Sequence, residues 1–172
     1  METIDPKNLF AELCRIENLA EGWHKVYANA GGPGGDGVSV HDFAARAGGE
    51  LARLGADLMH GAYRPGPLRR VQIPKRSGGT RPLAIPCVRD RIVQSALHIL
   101  LSPLLEAEFE EGSFGYRPGR GVREALQRVQ ALHRQGYAHV VDADIARYFE
   151  TVHMARCWRD SPRACRMRAR CR

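Results

Sequence analysis

No stretch of 18 apolar residues occurs in this 172-residue chain, so no membrane span is expected. The opening Met1-Glu-Thr-Ile-Asp-Pro6 is acidic and lacks the charged-then-apolar order of a secretory signal, which points to the cytoplasm. No internal repeat is visible, and no Cys-x-x-Cys pair occurs among Cys14, Cys87, Cys157, Cys165 and Cys171. That spacing reads as free thiols in a reducing compartment and not as a zinc site.

What the chain does hold is a 44% hydrophobic composition, enough for the core of one domain or of part of a larger one. The net charge of +7 is unevenly spread. Residues 154–172 carry seven arginines against one aspartate, and the remaining 153 residues are close to neutral. The basic balance is therefore weak evidence that the body binds nucleic acid.

Along the chain, Asp5-Pro6 suits a helix start. Leu9, Leu13, Ile16, Leu19, Ala20, Trp23 and Val26 then recur at helical spacing. Gly31–Gly37 reads as a flexible loop. Ser39-Val-His-Asp42 resembles a capping box, opening a helix with Phe43, Ala47, Leu51, Leu54 and Leu58 on one face and ending near Gly61. Residues 69–74 and 81–86 read as two strands joined by Lys75–Thr80 as a glycine-bearing hairpin loop. Asp90 is expected to cap the helix that follows, Pro103 to start another, and Val122 to Gln135 to form a helix stopped by Gly136. The apolar run 138–144 reads as a buried strand ending in a carboxylate.

Three segments carry chemistry. Asp142-Ala-Asp144 ends the apolar run, and an aromatic, Phe149, follows five residues later. A polymerase palm needs such an arrangement, because divalent metals in phosphoryl transfer want hard oxygen ligands. A surface acid pair is an equal reading of that motif alone. Lys75 and Arg81 flank a Gly-Gly turn and suit a triphosphate; a solvated basic turn is the plainer alternative. Phe114-Gly-Tyr-Arg-Pro-Gly-Arg-Gly121 suits base stacking and phosphate contact, or is an ordinary surface loop.

Taken in order, these segments resemble the first part of the group II intron and retron reverse transcriptases. Pro74-Lys75 with Arg81–Gln94 resembles the fingers block, Ser113–Arg120 the block after it, Val141–Glu150 the first palm motif, and Gly34–Val38 the short block before the fingers. The likeness covers residues 23–153. It implies an α+β fold: reverse-transcriptase fingers with a partial palm, truncated before the second catalytic motif. The segments would be an N-terminal helical region (1–61), fingers (62–137), the start of the palm (138–153) and an aberrant Arg/Cys-rich tail (154–172).

The resemblance gives Asp144 the catalytic metal-ligand role, with the Ile145 carbonyl beside it, and implies Mg²⁺ as cofactor. Lys75 and Arg81 would contact the incoming dNTP, Phe149 would exclude a ribose 2′-hydroxyl, and Arg117 and Arg120 would lie near the RNA template. RNA template, DNA primer, dNTP and intron RNA are the implied partners. Glu150 stands where group II members usually have Asp, and Ala146-Arg-Tyr148 departs from the common Lys-Gly-Phe.

The family's Tyr-x-Asp-Asp does not occur in the sequence, so the chain is expected to be inactive alone. A non-catalytic RNA-binding fragment or a functionless relic are the other readings. After His153 the pattern fails, which reads as a nucleic-acid arm or as out-of-frame translation. Its lack of lysine favours the second, and that reading expects Tyr-x-Asp-Asp downstream in a shifted frame.

Overall fold

A computed structural model describes residues 8–75 and 78–145. These form two compact units, one ending at Ser102 and the other beginning at Pro103. That division falls inside the segment 62–137. The architecture is α+β, with six helices and one two-stranded antiparallel sheet among the described residues.

In the first unit the apolar periodicity of residues 9–26 makes two helices instead of one. Helix α1 (Leu9–Cys14) ends at Arg15, whose φ of −68° and ψ of 139° are extended, and α2 (Ile16–Ala28) starts at once. Asn18 Nδ2 donates to the Glu12 carbonyl at 2.7 Å across the corner. Periodicity reports which side chains share a face and not whether the backbone is continuous. Leu9, Leu13, Leu19, Trp23 and Val26 are all buried despite the break. Asp5-Pro6 lies outside the described residues.

Ser39 caps α3 (Val40–Ala44) as expected: Asp42 N donates to Ser39 Oγ at 3.1 Å and Ser39 N to Asp42 Oδ2 at 3.0 Å. The helix does not continue to Gly61, however. It stops at Ala45, and α4 (Ala47–Met59) begins after Arg46. Gly48 and Gly49 follow in its first turn, where weak helix formers make a break inexpensive.

Helix α5 (Val88–Glu106) contains Pro103 instead of restarting there. So close to the helix end, the missing N–H removes a single bond of the ladder. The core joins these helices: Leu19, Leu54 and Ile92 are fully buried, and Trp23 stacks on Phe43 with ring centroids 4.8 Å apart. Gly22 allows α2 to touch α5, because a Cβ there would lie 2.8 Å from the Ile92 carbonyl and 2.9 Å from Ala96 N.

Strands β1 (Arg69–Pro74) and β2 (Thr80–Ile85) pair antiparallel, from Arg69 opposite Ile85 to Pro74 opposite Thr80. The turn is held by Lys75 N donating to Gly79 O at 2.9 Å and Gly78 N to Lys75 O at 3.1 Å. Gly78 and Gly79 take φ of 89° and 77° there, values that L side chains avoid.

The root of this hairpin is clamped. Asp90, buried in the first turn of α5, accepts from Tyr63 Oη at 2.6 Å and Gly66 N at 2.9 Å. It thus fixes the chain entering β1 and does not cap its own helix as expected. The glycine-rich loop joins the clamp. Gly35 N donates to the Pro67 carbonyl at 3.1 Å, and a Cβ on Gly34 would lie 2.5 Å from Cys87 N. At Gly34–Gly35 the expected flexible loop is a packed one.

The second unit holds a loop and α6 (Val122–Arg134). Gly136, with φ of 97°, follows its last turn, as the sequence predicted. The expected buried strand over 138–144 is absent: these residues form no ladder, and Val140 and Val141 are 87% and 91% exposed. A strand needs a neighbour to take its N–H and C=O groups, and no described segment pairs with it.

Candidate functional site

The two sequence-predicted nucleotide contacts come together on the hairpin. Arg81 lies opposite Ile73, and Lys75 follows Pro74, the last paired residue of β1. Alternation puts Arg81 on the face of Val71, Ile73, Leu83 and Ile85. Val71, Ile73 and Ile85 are half-buried, whereas Lys75 and Arg81 are exposed. Residues 69–85 contain no carboxylate. The tip of the hairpin is therefore a cationic element whose charge no local acid cancels. Ammonium and guanidinium groups so placed attract phosphate oxygens.

In the second unit the loop over 112–121 is organised around Arg117. Its guanidinium is buried. Nε and Nη2 donate to Glu106 Oε1 at 2.9 and 2.7 Å, and Nη1 donates to the carbonyls of Glu110 and Ser113 at 2.7 and 2.9 Å. Cζ lies 5.1 Å from the Phe109 ring centre. The hydrogen bond from Arg117, with its charge, holds the Glu106 carboxyl below its usual range.

The structure thus places Arg117 inside the loop that it was expected to present to template. Arg120 is half-buried, donating to the Glu111 carbonyl at 2.6 Å with Cζ 5.8 Å from the Phe114 ring. Tyr116, next to Arg117 in the segment expected to stack on bases, stands fully exposed at a φ of 57°.

Asp144 is exposed, and Ile145 N donates to its Oδ1 at 2.9 Å. Its carboxylate and the Ile145 carbonyl are hard oxygen donors of the kind Mg²⁺ takes. Among the described residues no three His, Cys, Asp or Glu side chains converge as a metal site. Phe149 lies outside the described residues.

The residues around the clamp were also missed as a set. Arg89 pairs with Asp57 across 32 residues, and its Cζ lies 5.9 Å from the Tyr63 ring. Burial, and then the bond to Asp90, push the Tyr63 phenol far above its ordinary value. No local pattern signals partners so distant in sequence.

Comparison with known proteins gives these features a context. The reverse transcriptase (RNA-dependent DNA polymerase) family model matches residues 73–165. Protein YkfC of Escherichia coli is 41% identical over 147 residues, 83% of this chain and 37% of its own length. The group II intron-encoded protein LtrA of Lactococcus lactis is 34% identical over 104 residues, 60% of this chain and 17% of its own. Nuclear intron maturase 2 of Arabidopsis thaliana is 40% identical over 58 residues, 34% of this chain and 8% of its own. The chain spans little more than a third of the length of the first of these relatives. It belongs to the reverse transcriptase family.

Proposed function

We propose that the chain supplies the fingers and the start of the palm of an RNA-directed DNA polymerase, acting on an RNA template and a DNA primer with dNTPs. The observation that carries this reading is the acid-free hairpin with Lys75 and Arg81 at its tip, within and beside the matched segment. In this reading the two cations neutralise the triphosphate. Catalysis of phosphoryl transfer rests on positioning and charge neutralisation, so a pair of cations on a clamped hairpin is a means to both. Phe149 would exclude a ribose 2′-hydroxyl, and Arg120 and Tyr116 would contact the template while Arg117 holds their loop. Intron RNA joins the partners because LtrA, one of the relatives, is an intron-encoded protein.

Asp144 and the Ile145 carbonyl would hold Mg²⁺, which supplies charge stabilisation at the transferring phosphoryl group. The 172 residues include no Tyr-x-Asp-Asp, so the proposed set of carboxylates is incomplete in this chain. Alone, it is expected to add no nucleotide to a primed RNA with dNTPs and Mg²⁺. Reproducible incorporation above a heat-killed control, lost on chelation, would overturn that expectation.

The roles are tested by placing these residues in an intact relative in place of its own segment. Lys75→Ala and Arg81→Ala are expected to raise KM for dNTP more than they weaken template binding. Asp144→Asn is expected nearly to abolish extension while RNA binding persists. Polymerisation kept within about tenfold would remove Asp144 as a ligand. Phe149→Ala is expected to admit ribonucleotides.

The same cationic hairpin also fits a second reading, a non-catalytic RNA-binding fragment. RNA affinity of the 172-residue chain that falls steeply with salt, without extension, would favour it.

A further inference from the structure

We propose that Tyr63 and Asp90 are positioning residues for the incoming nucleotide: the hydrogen bond between them aims the hairpin, and so sets where Lys75 and Arg81 meet a triphosphate that neither Tyr63 nor Asp90 touches. This inference rests on the reading of Lys75 and Arg81 as triphosphate contacts.

The direction of the hairpin has to come from its root. No residue of β1 or β2 is buried, so packing of the strands on the helices does not set their angle. Each strand is six residues long. At about 3.3 Å per residue the tip lies roughly 20 Å from the root, and a tilt of about 5° carries Lys75 and Arg81 by about 2 Å. Groups that hold a reacting phosphate tolerate little of this, since a misplacement of about 1 Å can cost roughly a hundredfold.

The root is built to transmit a direction. Tyr63 N donates to the Asp57 carbonyl of α4 at 3.0 Å, and Tyr63 Oη donates to Asp90 Oδ1 of α5 at 2.6 Å. Tyr63 is thus braced between two helices. The second carboxylate oxygen of buried Asp90 accepts from Gly66 N at 2.9 Å. Pro65 and Pro67 stand on either side of Gly66, and their fixed φ leaves few free torsions between the clamp and β1. On the way out Pro86 follows β2, and Cys87 Sγ donates to the Pro67 carbonyl at 3.3 Å. Asp90 therefore joins the strand coming in to the helix that follows the strand going out. Two donors on two oxygens of one carboxylate fix an orientation, whereas apolar burial is non-directional.

The test uses the full chain and two NMR readouts. Residual dipolar couplings compare the directions of the hairpin N–H bonds with those of α2, α4 and α5. Titration of dATP onto the Arg81 Nε–H resonance, at constant ionic strength, gives its affinity. In the unaltered chain one alignment is expected to fit hairpin and helices together. Tyr63→Phe keeps the ring and removes the donor. Its hairpin couplings are expected to shrink relative to those of the helices while the β1–β2 cross-strand contacts persist, and its Kd for dATP to rise about fivefold or more. Asp90→Asn, which turns one acceptor oxygen into a donor, is expected to do the same. Phe43→Leu perturbs the buried core at α3, and Phe43 makes none of the root's hydrogen bonds; both readouts are expected to stay unchanged. Unchanged couplings in Tyr63→Phe, shrunken couplings with full dATP affinity, or the same losses in Phe43→Leu would overturn the inference alone. No dATP response in the unaltered chain, or one that Lys75→Ala leaves intact, would overturn the triphosphate reading and this inference with it.

Discussion

At the scale of single residues, buried charge decides what the second unit's loop can do. Arg117 makes four hydrogen bonds, two to Glu106 and two to carbonyls. Removing one partner of such a set leaves the others desolvated and unpaired, which costs more than the pair itself contributes. Arg117→Ala is therefore expected to disorder the loop around it, read as loss of hydrogen-exchange protection at Ser113 and Arg120 N–H. Arg117→Lys is not expected to rescue it, because an ammonium cannot reproduce the planar fork.

The acid dependence follows from the same contact. Glu106 binds its proton less readily folded than unfolded, owing first to the hydrogen bond from Arg117. Its contribution is complete above its ordinary value of 4.5 and is lost as pH falls below it through the lowered folded value. Protection in this loop should fall in that acid window, and Glu106→Gln should flatten the dependence.

Tyr63 behaves in the opposite sense. Its raised value means that the neutral phenol stabilises the fold below its ordinary value of 10.0, and that this stability is lost as pH rises beyond it. Tyr63→Phe removes the donor to Asp90 and should lower stability by about 1–2 kcal/mol, measured by urea denaturation at neutral pH. An unchanged midpoint would show that Gly66 N alone satisfies Asp90.

At the scale of elements, two glycine environments separate propensity from packing. Gly48 and Gly49 sit in α4, where an added Cβ would meet nothing within 4 Å, whereas a Cβ on Gly22 in α2 would meet the backbone of α5 at 2.8 Å. Gly48→Ala should raise stability by about 0.5–1 kcal/mol, since alanine is the better helix former. Gly22→Ala should lower it by about 1–3 kcal/mol, because the added methyl must push two helices apart. Chemical denaturation of the two variants side by side checks the pair. Equal shifts would mean that α2 and α5 are not in backbone contact.

The elements also show where reading the sequence succeeds. The hairpin was legible because turn chemistry, alternating apolar residues and strand length all act within a few residues. The Ser39 capping box and the stop at Gly136 were legible for the same reason. The breaks at Arg15 and Ala45–Arg46 were not. Apolar spacing survives a corner when both helices still face one core, so the pattern cannot report the corner.

At the scale of the whole molecule, apolar surface is left uncovered in the second unit. Val122, Leu126 and Val129 lie at helical spacing on α6 and are 79%, 58% and 57% exposed. No residue of α6 is buried, and Val140, Val141 and Ile145 are exposed as well. Patches of this kind promote association. The chain is expected to bind a hydrophobic dye and to self-associate in a concentration-dependent way, seen by light scattering. Leu126→Lys with Val129→Lys should suppress both while leaving the unfolding midpoint of the first unit unchanged. Dye binding that persists in the double variant would place the sticky surface elsewhere.

The α+β class, the hairpin, its cationic tip and the family were legible in the residues alone, because these rest on local turns, periodicity and short motifs in order. Asp144 was legible as a motif, but the burial expected for the strand leading to it was not borne out. Burial depends on neighbouring segments, and among the described residues none pairs with 138–144. Packing, and no local pattern, turned Arg117 inward to Glu106 and joined Asp90 to Tyr63 and Gly66. Each of these outcomes turns on which side chains meet across turns and long stretches of chain, and that is settled by packing and not by the residues on either side.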